Sequence, residues 1–177
     1  MINGSPRKDG DTAALVAVLK MKLTGSISEI WAYHSNISPC MDCRKCWVKN
    51  GCVIEDDMGE IFADDFDVVI IASPIYMSGL PGPLVSLISR FQAYYMEKEI
   101  IVRKRKTAAL ILVGGGEGKA TYAINLAKWV FKYLNAKLKD ENIVFSLKTD
   151  NLPAKEDEDA LRKIENMALR FNNTLTC

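Results

Sequence analysis

The run DVVIIAS at residues 67–73 predicts a β-strand that is buried on both faces. It is continuously apolar, rich in β-branched residues and as long as a typical strand of a parallel sheet. A second run of this kind extends from Thr107 to Val113. Each run is followed by a loop rich in glycine or proline and then by a helical pattern. This alternation is typical of an α/β fold with a parallel sheet.

The rest of the chain continues the alternation. Further strands are predicted at Met1–Asn3, Ser28–Tyr33 and Asn142–Leu147. Helices are predicted at Thr12–Leu23, Leu84–Tyr95, Lys119–Leu138 and Ala154–Phe171, and a capping box of Asp57 and Glu60 predicts a short helix that ends near Ala63. Five strands separated by helices predict a flavodoxin-like, doubly wound sheet of order 2-1-3-4-5, with a cysteine-rich loop at residues 38–58 after strand 2. We expect a single domain over residues 1–177.

The bulk composition argues against several classes of partner. The chain has 23 basic and 22 acidic residues, so it offers no excess charge to nucleic acid or to an anionic membrane. No apolar run approaches the roughly 20 residues that span a bilayer. The first residues lack the basic and apolar regions of a secretory signal. We therefore expect a cytoplasmic protein with no nucleic-acid or membrane partner.

The segment GSPRKDGDT at residues 4–12 joins the first strand to the first helix. The amino end of a helix offers unpaired N–H groups and the positive end of a dipole, so it can bind an anion. Ser5 and Thr12 add hydroxyl donors, and Arg7 adds a planar cation suited to phosphate oxygens. A monophosphate fits this loop better than a pyrophosphate, because the pattern G-x-G-x-x-G is absent. The alternative is a solvated turn that only connects the two elements.

Four of the five cysteines, Cys40, Cys43, Cys46 and Cys52, lie within thirteen residues in the pattern C-x2-C-x2-C-x5-C. One loop with this spacing can surround a compact metal site, and four thiolates are the ligand set of a [4Fe-4S] cluster. Structural zinc sites usually present two cysteine pairs separated by a longer stretch, so zinc is the less favoured metal. The alternative without a metal is a structural flap with free thiols. The fifth cysteine, Cys177, is expected to be a terminal thiol.

Three stretches together resemble the iron–sulfur flavoprotein and NAD(P)H-dependent FMN reductase group of the flavodoxin-like superfamily. They are GSPRKDGDT at 4–12, SPCMDCRKCWVKNGCVIEDDM at 38–58 and ASPIYMSGLPGPL at 72–84. The resemblance implies that the first loop binds the FMN phosphate through Ser5, Arg7 and Thr12, with Asp11 standing where the group usually has asparagine. It also implies a [4Fe-4S] cluster on the four cysteines and NAD(P)H as an electron donor. A homodimer or tetramer is implied as well, with the cysteine loop near a subunit contact.

Two more loops are implied to hold the flavin. Residues 74–78 would line the isoalloxazine ring and ribityl chain, and the three glycines at 114–116 would approach the pyrimidine edge through backbone N–H groups. The alternative for the first of these loops is a plain connection between strand and helix. The full set of expected FMN-binding residues is Ser5, Arg7, Asp11, Thr12, Pro74, Ile75, Tyr76, Met77, Ser78, Gly114, Gly115 and Gly116.

The leading functional hypothesis is a flavin-dependent oxidoreductase that passes electrons between a [4Fe-4S] cluster and FMN. The first alternative is a cluster-free NAD(P)H-dependent FMN or quinone reductase, and the second is a non-catalytic, redox-responsive binding protein. No catalytic side chain is required, because the flavin carries the chemistry. A ferredoxin-like carrier and a small-molecule acceptor are the expected redox partners. The basic segment Arg103–Lys106 is interpreted as a solvated turn, with a docking patch for an acidic carrier as the alternative.

Overall fold

A computed structural model of the chain describes residues 1–97 and 103–175. Within these ranges the strands are β1 (Ile2–Asn3), β2 (Ile30–Trp31), β3 (Val68–Pro74), β4 (Lys106–Gly114) and β5 (Ala136–Leu147). The α-helices are α1 (Asp11–Lys22), α2 (Gly59–Phe62), α3 (Gly82–Ser89), α4 (Gln92–Tyr95), α5 (Thr121–Tyr133) and α6 (Glu158–Leu175). Cys177 lies outside the described residues.

The five strands form one parallel sheet in the order β2-β1-β3-β4-β5, as the sequence predicted. The centre of the sheet is the long pairing of β3 with β4, which runs from Val68 opposite Thr107 to Pro74 opposite Val113. The flavodoxin-like fold is thus confirmed.

Apolar side chains from the two central strands supply both faces of the sheet. Ile71, Leu110 and Leu112 belong to a core that includes α3 and α5. Ile70 and Ile111 belong to a second core, which includes α1 and α6. Because successive residues of a strand point to opposite faces, only a continuous apolar run can serve two cores. This explains why the run at 67–73 lacks the alternation of a half-exposed strand.

The predicted boundary between the fifth helix and the last strand was wrong. The helix ends at Tyr133 rather than Leu138, and β5 begins at Ala136 rather than Asn142. Asn135 adopts a left-handed conformation with φ of 51°, which ends the helix and redirects the chain into the strand. The first half of β5 lies at the sheet edge and is largely exposed, so its sequence is polar and lacks the apolar signal of a buried strand.

Three other predictions need correction. The helix predicted at Leu84–Tyr95 is divided into α3 and α4, because the Arg90 and Phe91 amides bond to the carbonyls three residues back, Leu87 and Ile88, instead of four. The predicted capping box does not form: Asp57 accepts a hydrogen bond from the Asn36 amide, and Glu60 accepts one from the Ser28 hydroxyl. The second strand is also shorter than predicted.

A cavity of about 510 Å³ lies beside the short strand β1. It is lined by Met1, Ser28, Val68 and Phe171, among others, and so lies at the amino ends of the strands. Ligands of doubly wound sheets bind at the opposite, carboxyl edge. The size of the cavity therefore does not identify the functional site. None of the helices in residues 1–97 and 103–175 is both long and apolar enough to cross a bilayer.

Candidate functional site

The loops that follow β1, β3 and β4 meet at the carboxyl edge of the sheet. The Gly4 amide donates to the Ala72 carbonyl at 2.7 Å, and the Ile75 amide donates to the Val113 carbonyl at 2.7 Å. A Cβ atom on Gly4 would lie 2.7 Å from Cδ2 of Leu84. Only glycine therefore lets the first loop pass this close to α3.

The first loop, residues 4–12, is stabilised by hydrogen bonds that involve its own backbone. The buried Ser5 hydroxyl donates to the Arg7 carbonyl at 2.9 Å and accepts from the Arg7 amide at 3.2 Å. The side chain of Asn3 accepts a hydrogen bond from the Ser5 amide at 2.9 Å, and the Trp31 indole N–H donates to the Ser5 carbonyl. These contacts hold the loop in a defined shape before any ligand binds.

The amino end of α1 has the features of an anion site. Gly10 occupies the N-cap position and no side chain caps the helix, so the first amides keep their hydrogen-bonding capacity. Thr12 is buried in the first turn, whereas the Arg7 side chain is 70% exposed. This donor set fits a phosphate group.

Asp11 has a structural partner. Its Oδ1 accepts a hydrogen bond from the Ala154 amide at 2.8 Å, and its Oδ2 lies 3.9 Å from the Arg7 guanidinium. The carboxylate thus links α1 to the turn that precedes α6. This contact occupies one oxygen of a group that would otherwise repel a phosphate.

The loop after β3 makes a tight turn at residues 76–79. The backbone groups of Tyr76 and Gly79 exchange two hydrogen bonds, at 3.0 and 2.8 Å. Met77 and Ser78, between them, both have positive φ, 50° and 63°. Left-handed backbone in two consecutive non-glycine residues stores strain, and such strain is concentrated at functional sites. The turn leaves the Met77 side chain 98% exposed.

Contacts with neighbouring elements hold this turn in place. The Ser78 carbonyl accepts a hydrogen bond from the Ala123 amide, one of the unpaired donors at the amino end of α5. Burial raises the pKa of Tyr33, and the nearby Tyr76 hydroxyl adds to the increase. The turn is therefore anchored to α5 on one side and lies near the end of β2 on the other.

The three glycines end β4 and begin the next loop. Gly114 is buried, and its carbonyl accepts from the Thr149 amide at 3.1 Å. A Cβ atom on Gly115 would lie 2.5 Å from both carboxylate oxygens of Asp150, so a carboxylate covers one side of this backbone. Next to it, Lys148 forms an ion pair with Glu117 and lowers the pKa of that carboxyl group. The loop is consequently linked to the segment after β5.

The cysteine loop turns sharply between its thiols. Asp42 and Arg44, on either side of Cys43, have φ of 48° and 58°, and Gly51, just before Cys52, has φ of 91°. These left-handed residues change the direction of the chain next to the cysteines. All four cysteines consequently line one pocket, together with Trp47, Ile54 and Arg90. Burial raises the pKa of the Cys46 thiol, and the other three cysteines add to this increase.

The thiols of this pocket are not arranged around a single metal ion. In the part of the chain that the structure describes, no three His, Cys, Asp or Glu side chains converge closely enough to hold one ion. A zinc site needs its sulfurs about 2.3 Å from a common point. The four thiolates of a [4Fe-4S] cluster each bind a different iron and so stand further apart around a larger body.

A buried arginine fastens the loop to the protein. Arg90 donates from Nη1 to the Ser38 carbonyl at 2.9 Å and to Asp56 Oδ2 at 2.5 Å, and from Nη2 to the Ile54 carbonyl at 3.1 Å. The Cys40 amide also donates to the Ser89 hydroxyl at 2.9 Å. Burial disfavours the charge on Arg90, but its interaction with Asp56 and its proximity to Cys52 raise its pKa above the ordinary value.

The basic segment 103–106 is not the solvated turn that the sequence suggested. Lys106 lies inside β4 with its side chain fully buried, and its ammonium group pairs with Asp64 at 3.0 Å. Arg103 pairs with Glu97, and Lys104 pairs with Asp67. The fold thus neutralises three of these four charges, which argues against a docking patch for an acidic carrier.

The sequence prediction missed four residues that shape the site: Asn3, Trp31, Asp56 and Arg90. None belongs to a periodic pattern, and each acts on a partner that is distant in sequence or on the backbone. Of these four residues, only Asn3 could have been found from the sequence, because it directly precedes the glycine of the first loop.

Comparison with known proteins identifies the family. The sequence model of the NADPH-dependent FMN reductase family matches residues 1–150. An iron-sulfur flavoprotein from Methanosarcina thermophila is 32% identical over 119 residues, which are 64% of this chain and 61% of that protein. An iron-sulfur flavoprotein from Archaeoglobus fulgidus is 28% identical over 178 residues, 96% of this chain and 76% of the relative.

A solved structure has the same fold. The FMN-dependent NADH-azoreductase from Bacillus anthracis, in complex with FMN, superposes with a TM-score of 0.64 at 18% identity and covers 97% of both chains. The sheet order, the matched residues and the relatives agree, and the chain belongs to the NADPH-dependent FMN reductase family of flavin-dependent oxidoreductases.

Proposed function

We propose that this protein is an FMN oxidoreductase that passes electrons between a [4Fe-4S] cluster and FMN. The observation that carries the proposal is the single pocket lined by Cys40, Cys43, Cys46 and Cys52. The two relatives described as iron-sulfur flavoproteins support it. When bound, FMN exchanges one or two electrons, whereas a [4Fe-4S] cluster exchanges one.

The residues at the carboxyl edge would bind and orient the flavin. The amides at the start of α1, with Thr12 and Arg7, would hold the phosphate, whereas the Ser5 hydroxyl, which donates to the Arg7 carbonyl, would shape the loop around it. The strained turn at Tyr76–Gly79 and the backbone at Gly114–Gly116 would hold the ring system. Backbone N–H groups at 114–116 would stabilise negative charge there and so favour the reduced form.

The helix α3 connects the two parts of the proposed site. It begins just after the turn at residues 76–79 and ends at Ser89, which contacts the cysteine loop. Its eight residues span about 12 Å. Electrons that pass within one chain would therefore travel a distance on the order of this helix length.

A homo-oligomer is part of the proposal. Met77 is 98% exposed in the flavin turn, and Met41 and Val48 are 68% and 77% exposed in the cysteine loop. Exposed apolar side chains concentrated on functional loops are typical of surfaces that another chain covers. A second copy would then contact both loops, which is the arrangement that the family resemblance implies.

The alternative is a cluster-free, NAD(P)H-dependent reductase. The family description, which names NADPH-dependent FMN reduction, favours it. In that case the cysteine loop would be a flap held by Arg90, and NAD(P)H oxidation with a flavin or quinone acceptor would not depend on Cys43.

Analysis of iron, acid-labile sulfide and flavin in anaerobically purified protein separates these functions. Close to four iron and four sulfide per FMN are expected for the proposed function. Flavin without iron, together with NAD(P)H oxidation unchanged by Cys43→Ser, would establish the alternative. Absence of flavin would contradict both.

A further inference from the structure

We propose that Arg90 is a positioning residue that holds the cysteine loop closed before any metal binds and that places a permanent positive charge in the pocket of the four cysteines. The second half of this inference rests on the proposed function, because it concerns the bound cluster. The first half concerns the metal-free protein alone.

Arg90 connects both arms of the loop. Nη1 binds the Ser38 carbonyl before the first cysteine, and Nη2 binds the Ile54 carbonyl after the last one. These partners are separated from Arg90 by 52 and 36 positions in sequence. One planar guanidinium thus closes a segment that contains all four thiols. Lysine, which has a single ammonium group, cannot bridge the arms with the same geometry.

Burying the positive charge of Arg90 costs free energy, so its position points to a role in the site. The side chains of Arg90 and Asp56 are 0% and 4% exposed, and such a buried ion pair contributes little net stability compared with an apolar pair. The Arg90 Nε atom is buried without a hydrogen-bond partner. The guanidinium lines the pocket of the four cysteines, among them Cys52.

These features agree with the requirements of a cluster ligand loop. A [4Fe-4S] cluster with four thiolates carries net negative charge, so a buried cation beside one ligand stabilises it. The three basic residues inside the loop, Arg44, Lys45 and Lys49, are exposed, and their charges are screened by water. Among the cations around this pocket, Arg90 is therefore the one whose charge acts at low dielectric.

Limited trypsin digestion of metal-free, flavin-loaded protein tests the first half. The loop offers exposed cleavage sites at Arg44, Lys45 and Lys49. Arg90→Met should be cleaved there at least about tenfold faster than the unmodified protein, because three charge-assisted hydrogen bonds are lost. Arg162→Met removes an exposed arginine on α6 and is the matched control, for which we expect no change.

Arg90→Lys keeps the test decisive if Arg90→Met fails to fold. It retains the positive charge opposite Asp56 but loses the bridge between Ser38 and Ile54, so we expect an intermediate rate of cleavage. Cleavage of both variants at the unmodified rate would overturn the proposal.

The midpoint potential of the reconstituted cluster tests the second half. A role in shaping the loop alone would not change the potential of whatever cluster is retained. We expect Arg90→Met either to lose iron or to hold a cluster with a more negative potential, and Arg90→Lys to restore the potential in part. Full iron content with an unchanged potential in Arg90→Met would refute the charge effect. If the unmodified protein takes up no iron, the proposed function fails, and the digestion experiment still decides whether Arg90 closes the loop.

Discussion

Replacement of Gly4 by alanine tests the packing on which the carboxyl edge depends. The added Cβ would lie 2.7 Å from Leu84 Cδ2 and 2.9 Å from Ser73 Oγ. Carbon atoms are in favourable contact at about 3.5 Å or more, so Leu84 would have to move by about 0.8 Å. Overpacking of this kind costs about 1–3 kcal/mol. Because Gly4 begins the first loop, we expect FMN affinity to fall together with stability.

Urea unfolding of the flavin-free protein measures the free energy of unfolding, and fluorescence titration measures FMN affinity. Gly82→Ala is the matched control, because its added Cβ meets no atom within 4 Å. Gly82 is the first residue of α3, so this change should be neutral or stabilise by up to about 1 kcal/mol.

A double-mutant cycle identifies the clashing partner. Leu84→Ala alone should cost about 2–5 kcal/mol because Leu84 is fully buried. The double variant should be less destabilised than the sum by about 1 kcal/mol, since the alanine at position 84 makes room for the new methyl group. An effect of Gly4→Ala within about 0.5 kcal/mol of zero, or additivity with Leu84→Ala, would refute the reasoning.

Four further predictions concern single residues of the site. Arg7→Ala should raise the FMN dissociation constant roughly tenfold, or about 1.5 kcal/mol, since one exposed charge-assisted contact is lost; unchanged affinity would remove Arg7 from the site. Cys46→Ser should abolish iron binding and leave the flavin content unchanged, and iron retained in this variant would mean that the assigned ligands are wrong. Ser78→Gly should raise the melting temperature, because glycine relieves about 1 kcal/mol of left-handed strain at φ of 63°; a lower melting temperature would argue against strain at this turn. Burial acts to raise the pKa of Asp56, but the interactions with Arg90 and the hydrogen bonds from the Ser38 and Met58 amides together outweigh it, and the folded-state pKa is lowered. The stabilisation is therefore complete above the unfolded-state pKa of about 3.9 and is lost as the pH falls through the folded value. Asp56→Asn should be less stable by about 3 kcal/mol at neutral pH, and the difference should shrink only as the pH falls below about 3.9 and through the folded-state pKa; a constant difference across this range would contradict the ion pair.

The strands that are buried on both faces of the sheet could be predicted from the sequence. The apolar runs at 67–73 and 107–113 agree with β3 and β4 to within one residue at each end. The boundary between α5 and β5 was not predictable, because the exposed half of an edge strand carries no apolar pattern. The break between α3 and α4 was missed for a different reason: the sequence around Arg90 remains helical in pattern, and the switch of the Arg90 and Phe91 amides to carbonyls three residues back leaves no mark in that pattern.

In the candidate site, too, some residues could be predicted from the sequence and others could not. The clustered cysteines and the glycine-rich loops were visible because their chemistry lies in contiguous residues. The residues that shape these loops were not visible. Asn3 and Trp31 act on the backbone of Ser5, and Trp31 does so across 26 positions. Backbone hydrogen bonds of this kind can be satisfied by many side chains, so they leave no characteristic spacing.

The sequence by itself determined the order of strands and helices, the family and the four thiols, because apolar periodicity and contiguous motifs are local properties of a chain. The tertiary structure alone decided how the thiols share one pocket, which cation lies beside them and which charges are neutralised. Arg90 and Asp56 are 34 positions apart in sequence, a separation that a local sequence pattern does not encode. The strength of their interaction depends on the exclusion of water. The two side chains become buried only after the sheet and its helices have packed together.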